Sequence, residues 1–266
     1  MPDSQPLLLL TRPRAASERF LGELRDGGGS GFTPVLSPLI EVETTGPLPE
    51  MSGVTGLIFT SANGVRAYAE LGGAPLPLCY AVGEATARAA RHIGMKPKVA
   101  QGDAEALLAL VLEDSPGGAL LHLRGTHARG DLAARLTAAG QPCAEAVIYD
   151  QPTRPLSAEA VVALRGQLPV VVPLFSPRSA ALFAAAARDV NATAPLFAAY
   201  MSAEVEASLS GLYVLDSEIV LRPDARLMRK SVEKLLECAR LLVERGGSVK
   251  SYESDARSGK DPQATD

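Results

Sequence analysis

Short apolar runs alternate with longer Ala-, Leu- and Arg-rich stretches along most of the chain. The runs at 7–10 (LLLL), 56–59 (GLIF), 78–82 (LCYAV), 119–123 (ALLHL), 170–174 (VVVPL) and 196–200 (LFAAY) have the length of buried strands. Most are followed by a polar or Pro residue and a helical pattern, predicting helices over 14–25, 63–71, 84–93, 103–113, 129–139, 177–188 and 203–210. A last, amphipathic helix is predicted over 226–243. Such alternation predicts an α/β protein with mostly parallel sheets. Two extended, Pro-bearing segments, 33–45 and 145–154, break the pattern. They predict two connecting strands, over 35–45 and 146–154, one leading out to an inserted domain and one returning. The expected organisation is a discontinuous domain of 1–34 plus 155–246, an inserted domain of 46–145, and a polar tail of 247–266. The tail has too few apolar residues to order itself.

The two halves repeat one another. LLLLTRPRA at 7–15 is echoed by LLHLRGTHA at 120–128, and LIFTSANGVRAYAE at 57–70 by PLFSPRSAALFAAA at 173–186. LCYAVGEATARAA at 78–90 is echoed by LFAAYMSAEVEAS at 196–208. Each piece is a strand, a polar turn and a helix. In a parallel sheet such turns collect at the carboxyl edge, beside helix N-termini whose free N–H groups suit anions. Taken alone, a Ser or Thr in such a turn is a helix cap. Matched in two halves, these residues predict a rim of hydroxyls, amides and Arg lining a cleft between two domains.

Composition narrows the ligand. With 47% apolar and 21% charged residues, the 266-residue chain is that of a soluble globular protein with room for two cores. No apolar run approaches the ~20 residues that span a bilayer. MPDSQPLLLLTRP reads as a strand start rather than a secretion signal. Cys79, Cys143 and Cys238 show no metal or redox spacing, as expected of reduced thiols in the cytosol. A net charge of −4 argues against bulk nucleic-acid binding. Of 26 basic residues only six are Lys (96, 98, 230, 234, 250 and 260), a bias that composition alone explains. An Arg directly after a strand nonetheless suits a carboxylate-rich ligand. RDGGGSGF at 25–32 lacks the Lys-Ser/Thr of a P-loop, and no Gly-x-Gly-x-x-Gly opens a helix. His92, His122 and His127 lack zinc spacing, and Ser61 and Ser176 sit in no nucleophile elbow. His122, inside a strand, reads as a core or interface residue.

The ordered set TRP (11–13), PLIEVE (38–43), FTSANGV (59–65), AVGEATA (81–87), LRG (123–125), VIYDQP (147–152) and FSPRSA (175–180) resembles the uroporphyrinogen-III synthase family. The resemblance runs from about residue 7 to 243. It implies two flavodoxin-like α/β domains joined by a two-stranded β connector, with the substrate cleft between them. It also implies an enzyme that closes hydroxymethylbilane to uroporphyrinogen III with loss of water and inversion of ring D, using no metal and no cofactor. By the same resemblance Tyr149 protonates the leaving hydroxyl; anchoring the linker is its competing role. Arg12, Ser61, Asn63, Gly83, Thr86, Arg124, Gly125, Ser176, Ser179 and Ser202 would contact substrate, unless Arg12 and Arg124 are salt-bridged at helix starts. The family's second Gly-x-x-Thr turn is replaced by Ser202 and Val205, which puts a side-chain role at 205 in doubt. Strand alternation sets Val147 and Tyr149 on one face and Ile148 and Asp150 on the other. The implied partners are the bilane and, transiently, the upstream bilane-forming enzyme, with no nucleic acid or membrane; the protein is expected to be a cytoplasmic monomer. The alternative is a non-catalytic, hinge-closing receptor for a small polyanion.

Overall fold

The computed structural model describes residues 5–100, 102–127, 130–209 and 211–244. The expected tail at 247–266 lies outside the described residues. In chain order the elements begin β1 (Leu7–Leu10), α1 (Arg14–Asp26), β2 (Thr33–Leu36), β3 (Glu43–Thr44), β4 (Val54–Phe59), α2 (Ala62–Glu70) and β5 (Leu78–Ala81). They continue with α3 (Glu84–His92), β6 (Pro97–Val99), α4 (Ala104–Asp114), β7 (Ala119–Gly125), α5 (Leu132–Ala138) and β8 (Cys143–Asp150). The last are α6 (Ala158–Arg165), β9 (Val170–Leu174), α7 (Pro177–Asp189), β10 (Leu196–Tyr200), α8 (Ala203–Ala207), β11 (Asp216–Ile219) and α9 (Ala225–Glu244). The chain divides into two compact units: one runs to Glu41 and resumes at Thr153, and the other is Val42–Pro152.

The first unit holds a parallel five-stranded sheet in the order β2-β1-β9-β10-β11. Alternation along each strand feeds two apolar layers. Leu9, Val172, Leu174 and Ala198 face α6, α7 and α8, where Phe183 and Leu164 pack. Leu8, Leu10, Val171 and Phe197 face α1 and α9. Helix α9 buries Met228, Val232, Leu235, Leu236, Ala239 and Leu242, one stripe at helical spacing, and Asp224 Oδ1 accepts from the N–H groups of Arg226 and Leu227 at its start.

The second unit repeats this plan: its sheet runs β3-β8-β7-β4-β5-β6, parallel except for β3. Reading β7 as the counterpart of β1 gives both sheets the doubly wound order 2-1-3-4-5, so the second unit is the first with its chain entered at a different strand. Leu57, Phe59, Leu121, Leu123 and Ile148 pack toward α2 and α3, and Ile58, Tyr80 and Leu120 toward α4 and α5. The string match at 57–70 and 173–186 is out by one residue. Ser61 and Ser176 cap the equivalent helices α2 and α7, which sets Thr60 rather than Phe59 in the place of Phe175.

The segments expected as connecting strands are shared out between elements. Val35 and Leu36 end β2, with Val35 in the core of the first unit; Ala146–Asp150 form the later half of β8. Glu43 and Thr44 pair antiparallel with Asp150 and Tyr149, and Ile40 makes an isolated antiparallel bridge to Thr153. Three elements were not expected: β6, α6 and β11. Helix α8 ends at Ala207, short of the expected 210.

Candidate functional site

In an open sheet of this order, the crevice lies at the carboxyl ends of the two strands whose connections leave in opposite directions. In the first unit these are β1 and β9, in the second β7 and β4. The sequence-predicted site residues gather at those two carboxyl edges, one group in each unit.

In the second unit Ser61 is the N-cap of α2, its Oγ accepting from the Asn63 N–H at 3.1 Å. Asn63 Oδ1 accepts from Arg66 at 2.8 Å. Gly83 caps α3 without a side chain, and a Cβ built there would meet nothing within 4 Å, so its space is open. Thr86, three residues on, is turned into the core. The equivalent pair at α8 is Ser202, an N-cap whose side chain makes no capping bond, and Val205, which is buried in the first unit's core. The replaced Thr thus stands at a position the fold uses for packing.

Arg124 takes the salt-bridged alternative, though with a neighbouring strand and not a helix. Its Nη2 meets Glu145 Oε1 at 2.6 Å and its Nη1 donates to the Gly125 carbonyl at 3.1 Å. The bond to Arg124 holds the Glu145 carboxyl below the ordinary range, and the same bond raises the guanidinium's pKa. Behind it lies His122, 4% exposed, its Nε2 3.2 Å from Thr60 Oγ1 and its Nδ1 without a partner among the described residues. Burial lowers its pKa to about 4, so the ring is neutral at physiological pH.

Tyr149 departs from the expected alternation. Pairing of β7 with β8 runs Arg124–Val147 and then Gly125–Tyr149, so Ile148 is an extra residue in a bulge. Val147 is 43% exposed, whereas Ile148 and Tyr149 both enter the core beside α2, at 1% and 7%. The expectation that Val147 and Tyr149 share a face is therefore corrected: the bulge resets the period. Gly125 makes the arrangement possible, since a Cβ there would lie 2.6 Å from Tyr149 Cζ. Gly64 does likewise on the helix side, where a Cβ would meet the Leu123 carbonyl at 3.0 Å and Tyr149 Cε1 at 3.7 Å. Among the described residues the Tyr149 hydroxyl has no hydrogen-bond partner.

In the first unit Ser176 caps α7 and Pro177 follows at its first turn. Ser176 Oγ accepts from the Ser179 N–H at 3.2 Å, and the two hydroxyls lie 2.8 Å apart. Arg12, just past β1, has its Cζ 4.0 Å from the centroid of Phe175 and no ion-pair partner among the described residues. Burial, then the nearby Arg19, lowers its pKa. Thr11 beside it is 1% exposed, and its Oγ1 has no partner among the described residues. Burial pushes the Cys79 thiol up to about 12 and Cys143 up to about 11, which rules both out as thiolate nucleophiles near neutral pH. Among the described residues no His, Cys, Asp and Glu are grouped as for a metal ion. Sequence reasoning missed Thr60, Glu145 and Phe175; the His122-x-Arg124 spacing, which puts both on one strand face, was the signal available for the first two.

The fold defines a class: two doubly wound α/β units, each with a polar rim at its sheet's carboxyl edge. A family model described as uroporphyrinogen-III synthase HemD matches residues 25–214, and the chain belongs to that family, enzymes of porphyrin biosynthesis. Uroporphyrinogen-III synthetase from Helicobacter pylori is similar in structure, with a TM-score of 0.60 at 17% identity, over 87% of this chain and 99% of that one. A mutant uroporphyrinogen III synthase from Thermus thermophilus has a TM-score of 0.46 at 19% identity, over 90% and 99%. No curated protein matches significantly.

Proposed function

We propose that the chain is a cyclising hydro-lyase that converts hydroxymethylbilane to uroporphyrinogen III. The family match over residues 25–214 carries this reading and leaves the receptor alternative without support. Loss of the terminal hydroxyl as water gives an azafulvenium cation. Attack by the substituted carbon of ring D gives a spiro intermediate, which fragments and recloses with that ring reversed. Spontaneous closure gives the other isomer, so orientation is the larger task.

The rims suit that task. Helix N-termini at Ser61, Gly83, Ser176 and Ser202 offer N–H groups to carboxylates without crowding cations beside a developing positive charge. Thr86 and Ser179 support them from the first turns of their helices. Arg12 supplies an unpaired cation; Arg124, paired with Glu145, is better read as holding β7 to β8. Tyr149 is the candidate proton donor, its ring fixed by Gly125 and Gly64 and its hydroxyl uncommitted. We read the chain as a cytoplasmic monomer taking its labile substrate in transient contact with the bilane-forming enzyme. No described helix is long and apolar enough to cross a membrane.

The test is to supply freshly made hydroxymethylbilane, oxidise the products and separate the uroporphyrin isomers. Isomer III is expected; isomer I alone would sink the proposal.

A further inference from the structure

Strands β1 and β9 part early. They pair at Leu7–Val170 and Leu8–Val171, and two residues later comes Pro173, which has no N–H to give a neighbouring strand. Beyond that point the two chains continue as Thr11-Arg12 and Phe175-Ser176, on either side of the first unit's switch point. The Arg12 guanidinium spans the gap to lie 4.0 Å from the Phe175 ring centroid. Phe175 is itself held edge-on by Phe20 of α1, with ring centroids 5.3 Å apart at 85°. An Arg side chain left free in solution samples many rotamers. Here a fixed aromatic face removes most of that freedom while leaving the in-plane N–H groups open, because a ring contacts the flat face of the guanidinium. The neighbouring Thr11 hydroxyl, buried and without a partner among the described residues, adds a second polar group at the same edge.

We propose that Phe175 is a positioning residue, which holds the Arg12 guanidinium flat at the β1–β9 crevice so that its N–H groups meet a ligand carboxylate. The proposal rests on the reading above for its ligand class, an acidic tetrapyrrole. The Ser176 hydroxyl, engaged with Ser179, does not compete for that carboxylate.

The probe is uroporphyrin III, a stable polycarboxylate, titrated against the full chain by fluorescence. Phe175→Leu and Arg12→Gln should each weaken binding about tenfold, the scale of one charge-assisted hydrogen bond. The double variant should be no weaker than either alone, and Phe175→Tyr should restore binding to within about twofold of the original, since it keeps the aromatic face. Phe175→Met, which keeps bulk without a ring, replaces the Leu variant should that one unfold. An upfield-shifted Arg Nε–H proton resonance, present in the unaltered protein and lost in the Leu or Met variant, reads the stack without any ligand. Unchanged binding in the Leu or Met variant, additive losses in the double variant, or failure of Tyr to restore would each overturn the proposal. A protein that shows these dependences but yields only isomer I keeps the positioning role and loses the synthase reading. One that yields isomer III with binding indifferent to Phe175 does the reverse.

Discussion

At Tyr149 the same ring is both a core element and the candidate acid, and two substitutions separate these roles. Tyr149→Phe keeps the buried ring and deletes a hydroxyl that has no partner among the described residues. Stability should therefore change by less than about 1 kcal/mol, the scale of one hydrogen bond, while turnover falls about ten- to a hundredfold. Full turnover in this variant would leave orientation as the whole mechanism. Gly125→Ala drives a Cβ into the same ring and should cost about 1–3 kcal/mol by urea unfolding, with turnover falling as the phenol is displaced. His122 supplies a third case. The folded ring stays neutral down to about pH 4, whereas the unfolded chain takes up the proton near the ordinary 6.5. Its contribution is thus intact above pH 6.5 and is lost as the pH falls from there toward 4. His122→Leu, which copies Leu10 at the equivalent place in β1, should remove that slope. The unaltered protein should lose about 2 kcal/mol more than the variant between about pH 7 and about pH 5. Parallel losses would exclude His122 as the source. Tyr149 itself was legible in VIYDQP, but its direction was not. The bulge depends on the close approach of β7, a contact that no local pattern encodes.

Among the elements, the capping residues divide into those that hold a helix and those that leave its end open. Ser61→Ala removes a bond to the Asn63 N–H and should cost about 1 kcal/mol in urea unfolding. Ser202→Ala removes no capping bond and should leave stability unchanged, so any rise in KM it causes reports on substrate alone. Equal destabilisation of the two variants would remove the distinction. The sequence carried the strands and long helices well, because LLLL, VVVPL and LFAAY are buried on both faces and α1, α7 and α9 keep a helical stripe. It was silent where burial is partial. PKV and DSEI, now β6 and β11, are short edge strands with little apolar content, visible only through pairing with β5 and β10. AEAVVALR, now α6, is hard to read as a helix because its adjacent Val161 and Val162 obscure the helical period.

At the scale of the whole chain, the second unit is continuous, Val42–Pro152, and has its own two apolar layers. Expressed alone, residues 42–152 should fold and unfold in one cooperative urea transition; a broad, non-cooperative loss of signal would show that it needs the rest of the chain. The first unit has no such independence in time. Its β1 leaves the ribosome early, but the β9 that must lie beside it, Leu7 against Val170, is made only after the whole second unit. Left as open coil, that interval is a long loop to close. Once the second unit has folded, the pairing of Glu43 with Asp150 draws the two ends of the insertion together. The loop that remains is about a third as long, which lowers the entropy of closure by about 1 kcal/mol. The inserted unit thus acts as a folding clamp for the other, and Leu57→Ala in its core should slow the appearance of the first unit's sheet although the substitution lies in the other unit.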